Sequence, residues 1–358
     1  MIELAGIFRR SGPDYRATCG AQMPPAHLRA MQDIEQCRTE SLGGQMSHGE
    51  PCRDDHDSSH SCKHRHCPTC QNDQAEQWLE RQQNVLLPVT HVLGTFTRPE
   101  ELRGLARSHQ QTLYNLLLRA SSTAFQALAL DPRGIGGRIA LVGGLHPWTH
   151  ALRYHPHVHD IATGGGLAAE GHWRPSRPDF LVPVKPLAVL FRTQFRDGRQ
   201  QPALDPRVDE PVWHKEWVVH GEPVGRGQEA LRYLARSLCR VALSQHRLRT
   251  LAEGQGPLQE KASATAQGKT WTVTAEACMR RLLPHVLPAR CVTGRSDGLR
   301  SPGSRRLLNA ASQVLGGRVV ATKTSGTGGT VKAPTAAPRC PRCGSPWGLL
   351  HLLRPTGR

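Results

Sequence analysis

Apolar positions divide the central part of the chain into stretches of helical and of extended periodicity. Between Leu113 and Leu128 they recur at steps of three and four residues, which predicts an amphipathic helix. A second amphipathic helix is predicted from about Gln228, and its apolar face carries Ala230, Leu234, Leu238 and Val241. Further helical signals begin near Asp73. We expect each of these helices to bury one face against a core.

Three shorter runs have the composition of β-strands. They are RIALVGGLH from Arg138, HVHDIAT from His157 and EWVVH from Glu216, and glycine and proline residues separate them. Strands and helices are mixed here without the regular spacing of β-α-β units. We therefore expect an α+β fold in which helices flank an antiparallel sheet.

Composition divides the chain into three segments. The first eighty or so residues are polar, and their stretch HGEPCRDDHDSSHSCKHRHCPTCQ has too few apolar residues to fold around its own core. From residue 289 onward there are twelve basic residues and one acidic residue, so this tail carries +11 of the net charge of +17. The tail includes TKTSGTGGTVKAPTAAP, a composition typical of disorder. We expect domains at 1–85 and 86–290 and a basic, disordered tail at 291–358.

The charge and the hydropathy of the chain limit the classes of protein to which it can belong. A net charge of +17 favours a polyanionic partner such as nucleic acid, although such a charge can also serve solubility alone. No apolar run reaches the roughly 20 residues of a membrane span, and the start MIELAGIFRR lacks the order of a signal peptide. We expect a cytoplasmic protein that does not enter a membrane. In that reducing compartment, clustered cysteines are more often metal ligands than disulfides.

A cysteine cluster in the N-terminal segment has the spacing of a zinc site. Cys67-Pro-Thr-Cys70 is a C-x-x-C turn, which directs two thiolates to one metal. A complete zinc ribbon has a second such pair about fifteen residues upstream, where this chain has Cys52 but Gly49 in place of the other cysteine. We expect Zn²⁺ to be bound by Cys52, Cys62, Cys67 and Cys70, with His48, His60, His64 and His66 as alternatives to Cys62. The other reading is a set of free thiols in a decayed site.

A second C-x-x-C pair lies near the end of the chain. It consists of Cys340 and Cys343, and no further cysteine pair accompanies it. The spacing fits a partial zinc site and a chance arrangement equally well.

Two histidines in one predicted strand form a candidate metal site. Side chains alternate along a strand, so His157 and His159 share a face while Val158 points into the core. Two adjacent imidazoles bind a divalent metal readily. The glycine run at 164–166 follows directly and permits close approach of a backbone or of a nucleic-acid strand. Histidines in such a stretch can also be structural.

One face of the second amphipathic helix carries a tyrosine among basic residues. Tyr233, Arg236, Ser237 and Arg240 fall on this face. Arginines beside a tyrosine can orient a phosphate and stabilise a developing phenolate. The alternative is a tyrosine at the edge of the core with solvated arginines.

These features, in this order, resemble the HUH-type transposases of the insertion sequence 91 family. The matching segments are PPAHLRAMQDIEQCRTESLGG, SCKHRHCPTCQ, HPHVHDIATGGGL, KEWVV, RYLARSLCRVALSQHRL and RRLLPHVLP, in the family's order over roughly residues 1–290. The resemblance implies a small zinc-binding domain followed by an HUH nuclease domain, whose antiparallel sheet is flanked by helices.

The resemblance also implies roles for individual residues. His157 and His159 match the histidine pair that holds Mg²⁺ or Mn²⁺, and Tyr233 matches the tyrosine that attacks DNA and leaves a 5′-phosphotyrosine and a free 3′-OH. Arg236 and Arg240 would then contact phosphates. The implied partners are single-stranded element ends and target DNA in a bacterial nucleoid, and the oligomeric state is not predicted.

One departure from the family pattern limits the implied chemistry. Ser237 stands where the family has a second tyrosine, so the chain is expected to act as a single-tyrosine enzyme. Two alternatives remain open: a catalytically decayed remnant that still binds DNA, and a replication initiator or relaxase of the wider HUH class.

Overall fold

The computed structural model describes most of the chain as two compact units. The described residues are 4–49, 51–67, 72–148, 154–177, 181–199, 210–239, 248–250, 258–261, 270–288, 290–317, 340 and 342–356. One unit combines residues 1–71 with 321–358, and the other consists of residues 72–320. Among the helices of the described segments, none combines the length and the apolar character that a bilayer crossing requires.

Helices and strands are numbered in chain order. The α-helices are α1 (Leu4–Cys19), α2 (Pro25–Gln36), α3 (Asn72–Gln83), α4 (Arg103–Ser108), α5 (Gln110–Leu130), α6 (Val184–Arg199), α7 (Pro211–His214), α8 (Gln228–Cys239), α9 (Ala275–Leu282) and α10 (Arg305–Val314). The strands are β1 (Gly44–Gly49), β2 (Asp54–Ser59), β3 (His91–Thr97), β4 (Ala140–Trp148), β5 (Tyr154–Thr163), β6 (Gly165–Leu167), β7 (Trp173–Pro175), β8 (Val218–Pro223), β9 (Leu248–Thr250), β10 (Leu258–Lys261), β11 (Thr270–Val273), β12 (Gly294–Gly298) and β13 (Gly348–Leu353).

The larger unit is built on a five-stranded sheet. Its strand order is β12-β4-β5-β3-β8, and every neighbouring pair is antiparallel. The three predicted strands are β4, β5 and β8, and the two predicted amphipathic helices are α5 and α8. The prediction of an α+β fold on an antiparallel sheet is therefore confirmed.

Helices cover both faces of this sheet. On one face, α5 and α6 pack against alternate strand residues, so that Phe96 and Val158 are buried with Phe125 and Phe191. The opposite face packs against α3 and α8, with buried residues Leu93, Val142, Ile161, Leu231 and Leu234. Because side chains alternate along a strand, burial of Val158 toward α5 turns its neighbours His157 and His159 toward the face that α8 covers.

The glycine run after β5 serves the packing of the backbone. A Cβ on Gly166 would lie 2.6 Å from the carbonyl carbon and oxygen of Gly137, and Gly165 has a φ of 142°. These positions therefore require glycine for close approach within the fold itself.

The smaller unit joins the two ends of the chain. Helices α1 and α2 contact each other and bury Phe8, Met31 and Ile34. Its sheet has the order β13-β1-β2, with antiparallel pairing on both sides of β1. Residues more than 280 positions apart along the sequence are thereby neighbours, for example Cys52 and Cys340.

The structure differs from the expected disordered tail at 291–358. Strand β12 pairs with β4, and α10 buries Leu308 and Ala311 in the larger unit, while β13 pairs with β1 in the smaller one. The composition of the tail did not predict these elements, because their apolar residues are few. These residues pack only against segments that are distant in the sequence. The Gly- and Thr-rich stretch at 322–338 lies outside the described residues.

Candidate active site and metal centres

The register of β4 and β5 gathers three histidines on the sheet face beneath α8. His146 is directly opposite His157, and Gly144 is opposite His159. Cross-strand partners in an antiparallel pair point to the same face. Each of His146, His157 and His159 offers one ring nitrogen, and these three nitrogens lie within 4.8 Å of one another. The structure thus brings the two predicted histidines together and adds a third.

Sequence reasoning missed His146. It is the last residue of the predicted strand RIALVGGLH, and nothing in that run marks it as a ligand. Only the pairing of β4 with β5 brings it beside His157, so the missing signal was the strand register.

Hydrogen bonds fix the orientation of two of the rings. Nδ1 of His157 donates to the carbonyl oxygen of His155 at 2.8 Å, which leaves Nε2 with its lone pair. Nδ1 of His159 lies 3.0 Å from Oγ1 of Thr95, its neighbour on β3. Nε2 of His159 is buried and has no hydrogen-bond partner among the described residues. Such an atom fits a metal ligand, because a buried polar atom needs a partner.

Burial also determines the charge of the His159 ring. Burial and the nearby His157 lower the pKa of His159 to about 3. The imidazole is therefore neutral at neutral pH, which is the form that binds metals.

Helix α8 holds Tyr233 against the histidines. The ring centroid of Tyr233 is 5.5 Å from that of His146 and 5.6 Å from that of His159. The tyrosine is 41% exposed, and its pKa is raised by burial and by Glu222. The next residue, Leu234, is buried and anchors the helix to the sheet. Tyr233 therefore faces both the histidine cluster and solvent.

The other three tyrosines occupy structural positions. The hydroxyls of Tyr114 and Tyr154 lie 2.7 Å apart, and Tyr154 also donates to the carbonyl oxygen of Ala106 at 2.9 Å. Tyr114 is fully buried, and burial raises its pKa far above the usual range. Tyr15 is buried in the smaller unit. Tyr233 is thus the one tyrosine of the four that stands beside the histidines.

The predicted phosphate-binding arginines are described only in part. Arg236 is exposed one helical turn beyond Tyr233. Arg240 and the side chain of Ser237 lie outside the described residues.

Six of the described cysteines in the smaller unit form two separate groups. The Sγ atoms of Cys37, Cys62 and Cys67 lie within 4.8 Å of one another. Cys70 lies outside the described residues. Cys37 stands just after α2, and sequence reasoning did not count it as a ligand, because 24 residues separate it from Cys62.

Cys52 belongs to the second group, with Cys340 and Cys343. Partial burial and the thiols of Cys343 and Cys340 raise the pKa of Cys52 to about 11. Ser345 lowers the pKa of Cys343 to about 7. The expected single site of Cys52, Cys62, Cys67 and Cys70 is corrected here, because the pairing of β1 with β13 brings the C-terminal cysteines to Cys52.

Comparisons with known proteins identify two families along the chain. A family described as "Transposase zinc-binding domain" matches residues 7–98, and a family described as "Putative transposase" matches residues 140–307. "Putative transposase y4qJ" of Sinorhizobium fredii (strain NBRC 101917 / NGR234) is 35% identical over 307 residues, which are 80% of this chain and 77% of that protein. This chain belongs to the transposases of the insertion sequence 91 family.

The name of a second relative of this transposase includes the insertion sequence to which that relative belongs. The "Transposase for insertion sequence element IS801" of Pseudomonas savastanoi pv. phaseolicola is 33% identical over 224 residues, which are 55% of this chain and 53% of that protein. No solved structure matches the chain.

The matched regions contain the site residues. The transposase match at 140–307 includes the three histidines and Tyr233, and the zinc-binding match at 7–98 includes Cys37, Cys52, Cys62 and Cys67. Membership of this family implies that the protein binds DNA. Cys340 and Cys343 lie beyond both matched regions.

Proposed function

We propose that this transposase nicks and rejoins single-stranded DNA at element ends, with Tyr233 as the nucleophile. The proposal rests on the position of the Tyr233 ring, 5.5 Å from that of His146 and 5.6 Å from that of His159. Attack on a phosphodiester needs a nucleophile and a charge-neutralising group that reach the same phosphate. A cation held by the histidine cluster would supply the positive charge beside Tyr233, and none of the other tyrosines lies next to this cluster.

The proposed step exchanges one phosphodiester for another. The hydroxyl oxygen of Tyr233 forms a bond to phosphorus, and the hydroxyl proton passes to solvent. The bond from phosphorus to the 3′ oxygen breaks, and this oxygen keeps the electron pair, takes up a proton and leaves as a free 3′-OH. The 5′ end of the DNA remains on Tyr233, and attack by another 3′-OH reverses the step and joins two strands.

His146, His157 and His159 would hold a divalent cation, Mg²⁺ or Mn²⁺. Such a cation, when bound, polarises the phosphate and offsets its charge. The buried Nε2 of His159, which lacks a hydrogen-bond partner among the described residues, supports this assignment. Imidazole nitrogens suit Mn²⁺ better than Mg²⁺, which prefers oxygen ligands. We therefore propose that Mn²⁺ supports the reaction at lower concentration than Mg²⁺.

The surrounding residues would position the DNA. Arg236 is exposed one turn beyond Tyr233, where a guanidinium can donate two parallel hydrogen bonds to a phosphate. Arg240 would extend this contact by a further turn. Because Ser237 replaces a second tyrosine, each chain would hold one 5′ end at a time.

The zinc-binding domain would support DNA binding. Cys37, Cys62 and Cys67 supply three thiolates, and the C-x-x-C spacing provides Cys70 as the fourth ligand. A four-cysteine site of this kind is closed to substrates and acts as a structural site.

A labelled oligonucleotide tests the proposal. The full chain is incubated with Mn²⁺ and a single-stranded oligonucleotide that carries the element's end sequence. A 3′ label should move into a covalent protein adduct, while a 5′ label should appear in a shorter free strand that ends in 3′-OH. Tyr233→Phe should abolish both products, and Tyr15→Phe should leave them unchanged, since Tyr15 lies in the smaller unit.

The two alternatives have different outcomes in this assay. DNA binding without adduct or shortened strand would indicate a catalytically decayed remnant. Nicking only of a plasmid replication or transfer origin, and not of the element end, would indicate an initiator or relaxase.

A further inference from the structure

We infer that this chain binds a second Zn²⁺ ion, through Cys52, Cys340 and Cys343, and that this ion joins the two ends of the chain. The Sγ atoms of these residues lie within 4.8 Å of one another, in a group separate from Cys37, Cys62 and Cys67. Neither family match covers Cys340 and Cys343. The inference is independent of the proposed reaction, because it concerns the smaller unit alone.

The sulfur separations suit a shared metal. The Sγ atoms of Cys52 and Cys340 are 3.5 Å apart. Sulfurs at about 2.3 Å from a tetrahedral zinc ion are roughly 3.8 Å from each other. A disulfide would need a separation of about 2.05 Å. The thiols are therefore spaced as ligands of one ion.

Two tight turns present these thiols. The turn between β1 and β2 is closed by hydrogen bonds from the amides of Cys52 and Arg53 to the carbonyl oxygen of Gly49. The C-terminal turn is closed by the Gly344 amide, which donates to the carbonyl oxygen of Cys340, and Gly344 has a φ of 72°. A C-x-x-C in such a turn directs both thiolates to one side.

The sheet around this group has little apolar burial to stabilise it. On β13, Leu349, Leu350 and Leu352 are 60%, 46% and 71% exposed, and the four central residues of β2 are exposed. A small sheet without a buried apolar face is marginal in water and needs a further constraint. A metal bound to the β1–β2 turn and to the segment before β13 provides one.

Among the described residues the site has three thiolates, and residue 49 lies where a fourth ligand could stand. A Cβ on Gly49 would lie 2.9 Å from Sγ of Cys52 and 3.5 Å from Sγ of Cys340, so this residue faces the cluster. Gly49 is also the position where a complete ribbon carries a cysteine. Zinc bound by three thiolates leaves one coordination position for water, so this ion should exchange faster than one in a closed site.

Zinc content per chain tests the inference. The parent for this test is the full chain with His146→Ala, His157→Ala and His159→Ala, because three imidazoles would otherwise bind a zinc ion of their own. Saturated with zinc and freed of excess, this parent should contain two ions per chain by mass spectrometry of the metal. The double variant Cys340→Ser, Cys343→Ser should contain one. Cys19→Ser, a matched change outside both cysteine groups, should retain two. Equal zinc content in the parent and the double variant would overturn the inference.

A variant that adds a ligand keeps all three thiols instead of removing two. In the same parent, Gly49→Cys should still bind two ions. The faster-released ion should pass to a competing chelator at about one tenth of the parent's rate or below, because another Zn–S bond must break. Unchanged release kinetics for both ions would also overturn the inference. Loss of DNA nicking has no bearing on either readout.

Discussion

Leu234 of α8 packs directly onto Gly144 of β4. A Cβ on Gly144 would lie 2.3 Å from Cδ1 of Leu234, so the absence of a side chain there lets the helix approach the sheet. Gly144 is also the cross-strand partner of His159, and Leu234 follows Tyr233 in the helix. The glycine thus lets α8 hold Tyr233, the proposed nucleophile, close to the histidines.

Gly144→Ala should therefore separate Tyr233 from the cluster. The added methyl group pushes Leu234 and α8 outward, and a displacement near 1 Å can cost about 100-fold in rate. The rate of adduct formation with the element-end oligonucleotide measures this effect. Gly104→Ala is the matched control, since a Cβ there would meet nothing within 4 Å. Equal rates for the two variants would show that α8 is not positioned through Gly144.

His146 should bind the cation as strongly as the two predicted histidines do. His146→Ala removes one of three ligands, and we expect loss of adduct formation together with weaker Mn²⁺ binding, measured by calorimetry. His172→Ala removes an exposed histidine on the loop before β7 and should change neither quantity. Mn²⁺ affinity that survives in His146→Ala would restrict the site to His157 and His159.

Thr95 should act by positioning the ring of His159. Its hydroxyl lies 3.0 Å from Nδ1 of that ring, and loss of such a partner typically lowers metal affinity by about 10- to 100-fold. We expect this loss in Thr95→Val, which keeps the shape of the side chain, and recovery in Thr95→Ser. Similar Mn²⁺ affinities for the valine and serine variants would contradict a role for the hydroxyl.

Buried His91 should make the fold sensitive to mild acid. Burial and Arg300 lower its pKa from 6.5 to about 4. Above pH 6.5 the ring is neutral in both the folded and unfolded states. As the pH falls from 6.5 toward 4, the unfolded state takes up the proton first, so the free energy of unfolding decreases, by about 3 kcal/mol in total.

His91→Phe keeps a ring at this position and removes the titration. Its unfolding free energy, measured with urea at several pH values, should depend less on pH between 6.5 and 4 than that of the parent. His214→Phe, at an exposed site, should keep the parent's slope. A parent-like slope in His91→Phe would assign the acid sensitivity to other groups.

The periodicity of apolar residues predicted the helices and strands whose side-chain pattern is visible within one short segment. The apolar periodicities located α5 and α8, and the alternation along β5 put His157 and His159 on one face. His146 and Cys37 escaped notice because their partners come from strand register and from distant segments. Strand β13 was missed for the same reason, since it pairs with β1 across most of the chain.

The cysteine prediction shows the limit of spacing rules. Cys52 and Cys62 are ten residues apart and belong to different groups, while Cys52 and Cys340 are neighbours. A turn restricts only the thiols within it, and the pairing of strands decides which turns meet.

Mapping the DNA-linked residue tests the central claim most directly. After reaction with Mn²⁺ and the element-end oligonucleotide, nuclease and trypsin digestion would leave a nucleotide on one peptide. Trypsin cuts after Arg232 and Arg236, so the account predicts the modification on the peptide Tyr-Leu-Ala-Arg that begins at Tyr233, or on the same peptide extended back to Gly227. A nucleotide on a peptide that contains Tyr15, Tyr114 or Tyr154 would contradict the assignment of the nucleophile.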